Sequence, residues 1–126
     1  MHALVIDDSR AMRMILRRTL TRLGFGVTEA ADGQLALDAL AEAGTLPDVA
    51  LIDWNMPVMN GLEFIKAVRR TPAYRQMSLM MVTTESEQAN IVRALAAGAH
   101  EYVLKPFGDE VIEEKLALLG LLDVPA

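Results

Sequence analysis

The sequence contains no cysteine, so the chain forms neither disulfide bonds nor thiolate metal sites. It also lacks any apolar run near the roughly 20 residues that cross a bilayer. The first apolar stretch reaches two aspartates, Asp7 and Asp8, too early for a signal peptide. These absences predict a soluble protein with no membrane partner and, by default, a cytoplasmic location.

Basic residues are in the minority. The chain of 126 residues carries 12 lysines and arginines against 17 aspartates and glutamates, for a formal net charge of -5. This acidity argues against a protein whose main partner is the phosphate backbone of a nucleic acid. No repeat, low-complexity tract or linker divides the chain, and its length is typical of one domain. We therefore predict a single domain over residues 1–126.

The chain does have a strict alternation of strand and helix patterns. Short apolar runs, typical of buried strands, lie at residues 3–6, 25–30, 49–52, 79–82 and 102–104. The intervening spacing predicts five helices: one ending at Gly24, one from Asp32 to Gly44, one capped by Asn60 and Glu63, and two over residues 87–97 and 109–119. Right-handed crossovers then require parallel strands with helices on both faces. We predict a five-stranded α/β fold of the doubly wound, flavodoxin-like kind.

Polar side chains follow four of the five predicted strands. In an open parallel sheet, ligands bind beyond the carboxyl ends of the strands, near the point where strand order reverses. The residues at those ends are Asp7, Asp8, Asp53, Thr83, Thr84 and Lys105. The second strand ends in two alanines and offers nothing, which fits the strand order 2-1-3-4-5 with that strand at the margin.

Three carboxylates at one edge repel one another unless a cation lies among them. The candidate ligands are all oxygen donors, and Mg²⁺ typically takes one or two carboxylates and bridges to a phosphoryl oxygen. Lys105 and Thr83 add donors for the remaining phosphoryl oxygens. The pattern indicates Mg²⁺-dependent phosphoryl transfer to a carboxylate. We also expect either Asp7 or Asp8 to cap the first helix.

These groups, in this order, resemble the response-regulator receiver family. The resemblance is carried by Asp7-Asp8, Asp53, Thr83 and Lys105-Pro106. The run Asp53-Trp54-Asn55-Met56-Pro57, followed by Asn60-Gly61, is similar to the phosphorylation loop of chemotaxis-type, single-domain members. The similarity extends over about residues 4–119. It implies the flavodoxin-like fold and a phosphorylated aspartate.

The resemblance also implies the metal site. Asp53 would be the phosphoacceptor and a metal ligand. Asp8 would bind Mg²⁺ directly, Asp7 would bind it through water, and the main-chain carbonyl of Asn55 would be a further protein contact.

The phosphoryl-binding and switch residues are likewise implied by the resemblance. Thr83 would hydrogen-bond the phosphoryl group, Lys105 would pair with it, and the ring of Tyr102 would turn inward as the threonine moves. The bond between Lys105 and Pro106 would be cis.

Three positions are expected to set the lifetime of the phosphorylated state. By the resemblance, Asn55 and Glu85 flank the phosphoryl group. Thr84 stands where receivers usually have a small residue, which narrows access to Asp53. We predict that all three affect the kinetics, without a stated direction.

The implied function is a signalling relay rather than an enzyme, since Mg²⁺-dependent self-phosphorylation and autodephosphorylation would be its only chemistry. A histidine kinase or histidine phosphotransfer protein would phosphorylate Asp53. The change would be presented to a downstream protein by the fourth helix, fifth strand and fifth helix. Only residues 121–126 lie beyond the receiver pattern, so we expect a stand-alone regulator without an output module.

Three alternatives remain. The first is a receiver-shaped interaction module that is never phosphorylated, against which the intact set of site residues argues. The second is a small metal-dependent phosphatase with an aspartyl-phosphate intermediate, but such enzymes resemble Asp-x-Asp after the first strand. The third is a flavin-binding module, in which the negative charge of Asp7 and Asp8 would occupy the phosphate cradle.

The first helix carries a basic face: Arg10, Arg13, Arg17, Arg18 and Arg22. That face is either simply solvated or, by the resemblance, part of the surface that docks the phosphodonor.

Overall fold

The computed structural model describes residues 1–123, which form one five-stranded sheet and five α-helices. The strands are β1 (His2–Ile6), β2 (Gly26–Ala30), β3 (Val49–Ile52), β4 (Ser78–Thr83) and β5 (Glu101–Leu104). The helices are α1 (Arg10–Arg22), α2 (Gly33–Glu42), α3 (Gly61–Arg70), α4 (Gln88–Ala97) and α5 (Asp109–Leu118). Every predicted element is present, with ends within one or two residues of those expected. A short 3₁₀ helix, Pro72–Tyr74, has no counterpart among the predicted elements. Residues 124–126 of the predicted domain lie outside the described residues.

All strands of the sheet are parallel, in the order β2-β1-β3-β4-β5. The predicted fold class and strand order are therefore confirmed. β1 pairs with β2 on one side and β3 on the other, so Ile6 lies opposite both Ala30 and Ile52. The order reverses between β1 and β3, and this reversal opens a crevice beyond their carboxyl ends.

Two apolar layers enclose the sheet, because side chains along each strand alternate between its faces. On β1, Leu4 and Ile6 point to one layer and Ala3 and Val5 to the other. The first layer is completed by buried side chains of α2, α3 and α4: Ala36, Leu40, Leu62, Phe64, Ile65, Val68 and Ala94. The second is completed by those of α1 and α5: Leu16, Leu20, Ile112 and Leu116. Full burial of each large side chain contributes about 1.5–3 kcal/mol, so the strand ends that carry the site are firmly anchored.

The start of α1 differs from the expectation that Asp7 or Asp8 caps it. The N-cap is Ser9, whose hydroxyl accepts a hydrogen bond from the N–H of Met12 at 3.2 Å. The capping prediction is wrong because the first helical residue is Arg10, which places the cap position on Ser9. Both aspartates are thereby left at the edge of the sheet.

The helices α2 and α3 begin as predicted. The side chain of Asp32 accepts a hydrogen bond from the N–H of Leu35 at 2.8 Å. Asn60 and Glu63 form a capping box, in which each side chain accepts from the other residue's N–H, at 2.9 Å and 3.0 Å. Such caps contribute about 1 kcal/mol. The capping box fixes the far end of the loop that follows β3.

The loop between β3 and α3 contains a strained residue. Val58 has φ of 68° and is the one residue other than glycine with positive φ among residues 1–123. The left-handed region costs an L-residue about 1–2 kcal/mol, and a β-branched side chain is especially disfavoured there. The side chain of Val58 is 81% exposed, so little burial offsets this strain.

Replacing Val58 should relieve that strain. We expect Val58→Asn to raise the free energy of unfolding by about 1 kcal/mol, because Asn tolerates the left-handed region better than Val. Urea unfolding measures the change. Val92→Asn is a matched control, since Val92 is an exposed valine on α4, where the exchange should alter stability by less than about 0.5 kcal/mol. A Val58→Asn variant no more stable than the wild type would contradict the assignment of strain.

Candidate metal and phosphoryl site

Three aspartates converge at the crevice between β1 and β3. One carboxylate oxygen from each of Asp7, Asp8 and Asp53 lies within 4.8 Å of the others. Asp7 and Asp53 are buried, and Asp8 is exposed at the mouth. Hydrogen bonding continues past the strands, since the N–H of Asp53 donates to the carbonyl of Ile6 at 2.9 Å. The pairing of β1 with β3 is thus what brings the carboxylates together.

Lys105 lies against this cluster from the end of β5. Its Nζ is 2.7 Å from Oδ2 of Asp7 and 3.5 Å from Oδ2 of Asp53. The main-chain N–H of Lys105 donates to the carbonyl of Thr83 at 2.9 Å, which holds the lysine at the sheet edge. The peptide bond between Lys105 and Pro106 is cis, as the resemblance implied. One ammonium offsets one of the three negative charges, so the cluster retains an excess of negative charge.

The donor set fits Mg²⁺. The three carboxylates supply oxygen ligands, which this ion prefers, and the excess negative charge suits a divalent cation. The three carboxylate oxygens lie within 4.8 Å of one another, close enough for a single ion to reach all three. Asn55 lies two residues past Asp53 in the same loop and is exposed.

The hydroxyl of Thr83 lies between two loops. Its Oγ1 accepts long hydrogen bonds from the N–H of Trp54 at 3.4 Å and from the N–H of Glu85 at 3.3 Å. Thr83 is fully buried, and Trp54, 8% exposed, belongs to the core layer formed with α2, α3 and α4. The threonine hydroxyl is thus hydrogen-bonded to the loop after β3 and to the loop after β4.

Tyr102 binds the other side of Glu85. Its hydroxyl donates to the main-chain carbonyl of Glu85 at 2.7 Å, and its ring packs partly against the core. Burial, with the nearby negative charges of Glu85 and Asp53, raises the pKa of Tyr102 to about 12. The backbone of Glu85 is therefore held between Tyr102 and Thr83. Thr84, the residue between Thr83 and Glu85, is exposed, and its expected effect on access to Asp53 stays a prediction.

Gly61 has a structural role that the motif alone did not explain. Its N–H donates to the carbonyl of Trp54 at 2.9 Å, which draws the start of α3 against the loop after β3. A Cβ at this position would collide with the main-chain carbonyl of Asp53. The close approach of α3 to the candidate phosphoacceptor therefore requires glycine here.

The basic face of α1 is largely engaged in ion pairs, which the sequence analysis missed. Arg13 and Arg17 both bind Glu29 of β2, at 3.1 Å and 2.6 Å, and Arg22 binds Asp109 at 3.2 Å. The second strand, expected to offer the site nothing, thus supplies the carboxylate that holds Arg13. The only sign of these ion pairs in the sequence was Glu29, an acidic residue near the end of that strand.

The hydrogen bond of Tyr102 should be visible in stability measurements. We expect Tyr102→Phe to lower the free energy of unfolding at neutral pH by about 1 kcal/mol, the usual value of one hydrogen bond. The pKa of Tyr102 in the folded state is raised to about 12 from the ordinary tyrosine value of 10.0, so the wild type loses stability as the pH rises above 10. The gap between wild type and variant should therefore shrink above that pH.

Urea unfolding at neutral pH and at alkaline pH tests both parts of this expectation. Tyr74→Phe is the control for a tyrosine outside the site, since Tyr74 lies in the 3₁₀ helix. A gap that stays constant above pH 10 would contradict the raised pKa of Tyr102.

The chain is similar to known proteins over most of its length. A model of the family described as "Response regulator receiver domain" matches residues 3–117. The chain is 48% identical over 117 residues to a "Chemotaxis protein CheY homolog" of Campylobacter jejuni, covering 92% of this chain and 89% of that protein. It is 43% identical over 125 residues to "Chemotaxis protein CheY1" of Helicobacter pylori, covering 98% of this chain and all of that protein.

Solved structures agree with the sequence comparisons. Chemotaxis response regulator CheY4 of Vibrio cholerae superposes with a TM-score of 0.86 at 37% identity, over 94% of this chain and 97% of that one. A receiver domain from Francisella gives a TM-score of 0.83 at 24% identity, which supports the fold. The family match and the extent of these similarities show that the chain belongs to the response regulator receiver family, as a CheY-like member.

Proposed function

We propose that this receiver relays a signal by accepting a phosphoryl group on Asp53 from the phosphohistidine of a histidine kinase or histidine phosphotransfer protein. The observation that carries the proposal is the cluster of three carboxylates within 4.8 Å with Lys105 lying against it. Mg²⁺ would be held by Asp7, Asp8, Asp53 and the main-chain carbonyl of Asn55. The chain is a signalling protein, whose only chemistry would be its own phosphorylation and dephosphorylation.

The chemistry begins with a carboxylate oxygen of Asp53, which attacks the phosphorus of the donor. A P–O bond forms, the P–N bond of the phosphohistidine breaks, and its electron pair stays on the imidazole nitrogen. When bound, Mg²⁺ offsets the negative charge that otherwise keeps the phosphoryl group away from the aspartates. Lys105, 3.5 Å from Asp53, is placed to bind one phosphoryl oxygen. The hydroxyl of Thr83 would donate to another.

The same contacts suggest how phosphorylation alters the surface. Movement of Thr83 towards a phosphoryl oxygen on Asp53 would break its long hydrogen bond from the N–H of Glu85, at 3.3 Å. The N–H of Glu85 is then free. The main-chain carbonyl of Glu85 still accepts the hydrogen bond from the hydroxyl of Tyr102, at 2.7 Å. We propose that Tyr102 is the switch because its preferred position depends on this one loop. The charge at Asp53 would thereby shift the population between two loop arrangements.

A surface formed by α4, β5 and α5 is the proposed contact for a downstream protein. Each of these elements carries a large apolar side chain that is exposed: Val92 and Leu95 on α4, Leu104 on β5 and Leu118 on α5. Exposed apolar side chains next to a switch residue suit a regulated protein interface. Tyr102 lies on β5, so its movement would reach this surface directly.

The names of the relatives point to the pathway. Proteins 43% and 48% identical to this chain are called chemotaxis proteins, and we propose a chemotaxis role for a stand-alone regulator here. Asn55, Thr84 and Glu85 would tune the rates of phosphorylation and dephosphorylation. Among residues 1–123, no helix has the length and apolar character to span a membrane. A cytoplasmic location and the lack of nucleic-acid partners stay predictions from the sequence.

Phosphorylation is tested with a small-molecule phosphodonor such as acetyl phosphate. We expect intact-mass spectrometry to show a gain of one phosphoryl group in the presence of Mg²⁺ and no gain in EDTA. Asp53→Asn should abolish the gain. Asp38→Asn, at an exposed carboxylate of α2 outside the site, should leave it unchanged.

The alternatives predict different results in the same assay. No mass gain with any donor would favour a receiver-shaped interaction module that acts without phosphorylation. Sustained release of phosphate from a metabolite would favour a phosphatase. A gain that persists in Asp53→Asn would place the phosphoryl group on another residue.

Lys105 should affect metal binding and phosphorylation in opposite directions. Its ammonium lies 2.7 Å from Asp7 and competes with a cation, so Lys105→Met should bind Mg²⁺ about threefold to tenfold more tightly. The same variant should be phosphorylated much more slowly, because a phosphoryl oxygen loses its cationic partner. Trp54 fluorescence during Mg²⁺ titration reports the first effect and mass spectrometry the second. Lys115→Met, on α5, is the charge-matched control, and weaker Mg²⁺ binding in Lys105→Met would contradict the competition.

A further inference from the structure

The guanidinium of Arg13 reaches from α1 to the turn that carries the first two aspartates. Its Nη1 donates to the main-chain carbonyl of Asp7 at 2.7 Å. Its Nε binds Oε1 of Glu29 at 3.1 Å. The side chain is 17% exposed, far less than the 45% of Arg17 one turn later. Arg13 is therefore the arginine of α1 that is built into the edge of the site.

Glu29 holds Arg13 in place. Arg17 donates to the second carboxylate oxygen of Glu29 at 2.6 Å. It also donates to the main-chain carbonyl of Val27 at 3.2 Å. Hydrogen bonds and positive charge from Arg17, and then from Arg13, lower the pKa of Glu29 despite its partial burial. Glu29 itself is fixed in β2, opposite Val5. The guanidinium of Arg13 is thus clamped to the sheet.

The carbonyl of Asp7 belongs to the peptide group that joins Asp7 to Asp8. The N–H of Asp7 donates to the carbonyl of Ala30 at 3.1 Å, which fixes the preceding side of the turn. Ser9 donates its N–H to Oδ1 of Asp7 at 2.9 Å, which fixes the following side. Arg13 binds the peptide group between Asp7 and Asp8 through the carbonyl of Asp7. The orientation of that peptide group determines where the exposed carboxylate of Asp8 lies relative to the buried Asp7.

We propose that Arg13, clamped by Glu29, is a positioning residue for the metal site. It holds the peptide group between Asp7 and Asp8 so that both carboxylates converge with Asp53. The inference rests on the proposed Mg²⁺ site, and it gives β2 a role in a site to which it supplies no ligand. Replacing a residue that orients metal ligands commonly weakens metal binding by about 10–100-fold.

The direction in which Mg²⁺ affinity changes when Arg13 is removed distinguishes a positioning role from an effect of its charge. Arg13 is a cation near a cation site, so its removal should tighten Mg²⁺ binding if charge alone matters. If Arg13 positions the turn, its removal should weaken binding. Arg13→Met keeps most of the apolar stem and removes the guanidinium. We expect its dissociation constant for Mg²⁺ to rise about tenfold.

Arg17→Met is the matched control. It removes the same charge from the same helix and breaks a bond to the same Glu29, but Arg17 does not contact Asp7. Its Mg²⁺ affinity should stay within about twofold of the wild type or increase slightly. Arg13→Lys keeps the positive charge without the planar group that binds two partners, so it should weaken Mg²⁺ binding by an intermediate amount.

Glu29→Gln tests whether the clamp acts through Arg13. Loss of a negative charge weakens Mg²⁺ binding in any background, so the comparison is between two backgrounds. We expect Glu29→Gln to weaken binding more in the wild type than in Arg13→Met, where no guanidinium remains to be positioned. Equal effects in both backgrounds would show that Glu29 acts only by its charge.

The measurement is Mg²⁺ titration without a phosphodonor, followed by Trp54 fluorescence. Urea unfolding in EDTA checks that each variant is folded. If Arg13→Met does not fold, Arg13→Lys takes its place in the comparison. A second measurement needs no metal: the amide hydrogens of Asp7 and Ser9, which are hydrogen-bonded in the turn, should exchange with solvent faster in Arg13→Met than in Arg17→Met. A folded Arg13→Met that binds Mg²⁺ as tightly as the wild type, or more tightly, would overturn the positioning role. If the wild type itself fails to bind Mg²⁺, the proposed function fails, and the amide exchange still decides whether Arg13 orders the turn.

Discussion

Repulsion among three aspartates is the constraint on which the rest of this structure depends. Parallel pairing of β1 with β3 places Asp7, Asp8 and Asp53 within 4.8 Å of one another, with two of the three buried. Lys105, 2.7 Å from Asp7, relieves part of that repulsion. The remaining negative charge suits the crevice to a divalent cation. A cluster that is electrostatically unfavourable alone is thereby suited to hold a cation.

The surrounding fold keeps this cluster from spreading apart. Two buried apolar layers anchor the strands, and Gly61 lets α3 approach the carbonyl of Asp53. Arg13 bonds to the carbonyl of Asp7, and Glu29 of β2 holds Arg13 in turn. Gly61 and Arg13 each lie against the main-chain carbonyl of an aspartate rather than against its carboxylate. The site is thus supported by backbone contacts that do not compete with a ligand.

The path from the site to the surface is short. Thr83, at the end of β4, accepts from the N–H of Glu85, and Tyr102 of β5 donates to the carbonyl of the same residue. A change at the threonine therefore reaches the tyrosine through a single residue. Large apolar side chains are exposed on α4, β5 and α5.

The amino-acid sequence by itself determined the fold class, the strand order and the set of residues at the strand ends, because these follow from local patterns and from the rules of parallel sheets. The capping box at Asn60 and the cis bond before Pro106 were also predicted correctly. The cap of α1 was not, because Asp7, Asp8 and Ser9 are all good N-caps and only the helix start selects among them. The roles assigned to the site residues by resemblance stay predictions.

Only the tertiary structure decided which polar groups meet. The ion pairs of Arg13 and Arg17 with Glu29, and the placement of Glu85 between Thr83 and Tyr102, join residues from different elements. In the sequence, such arginines resemble any solvated helix face, and the end of β2 offers no polar residue for the site. The physical reason is that local patterns report which face of an element is buried, whereas an ion pair depends on where two faces lie relative to each other after folding.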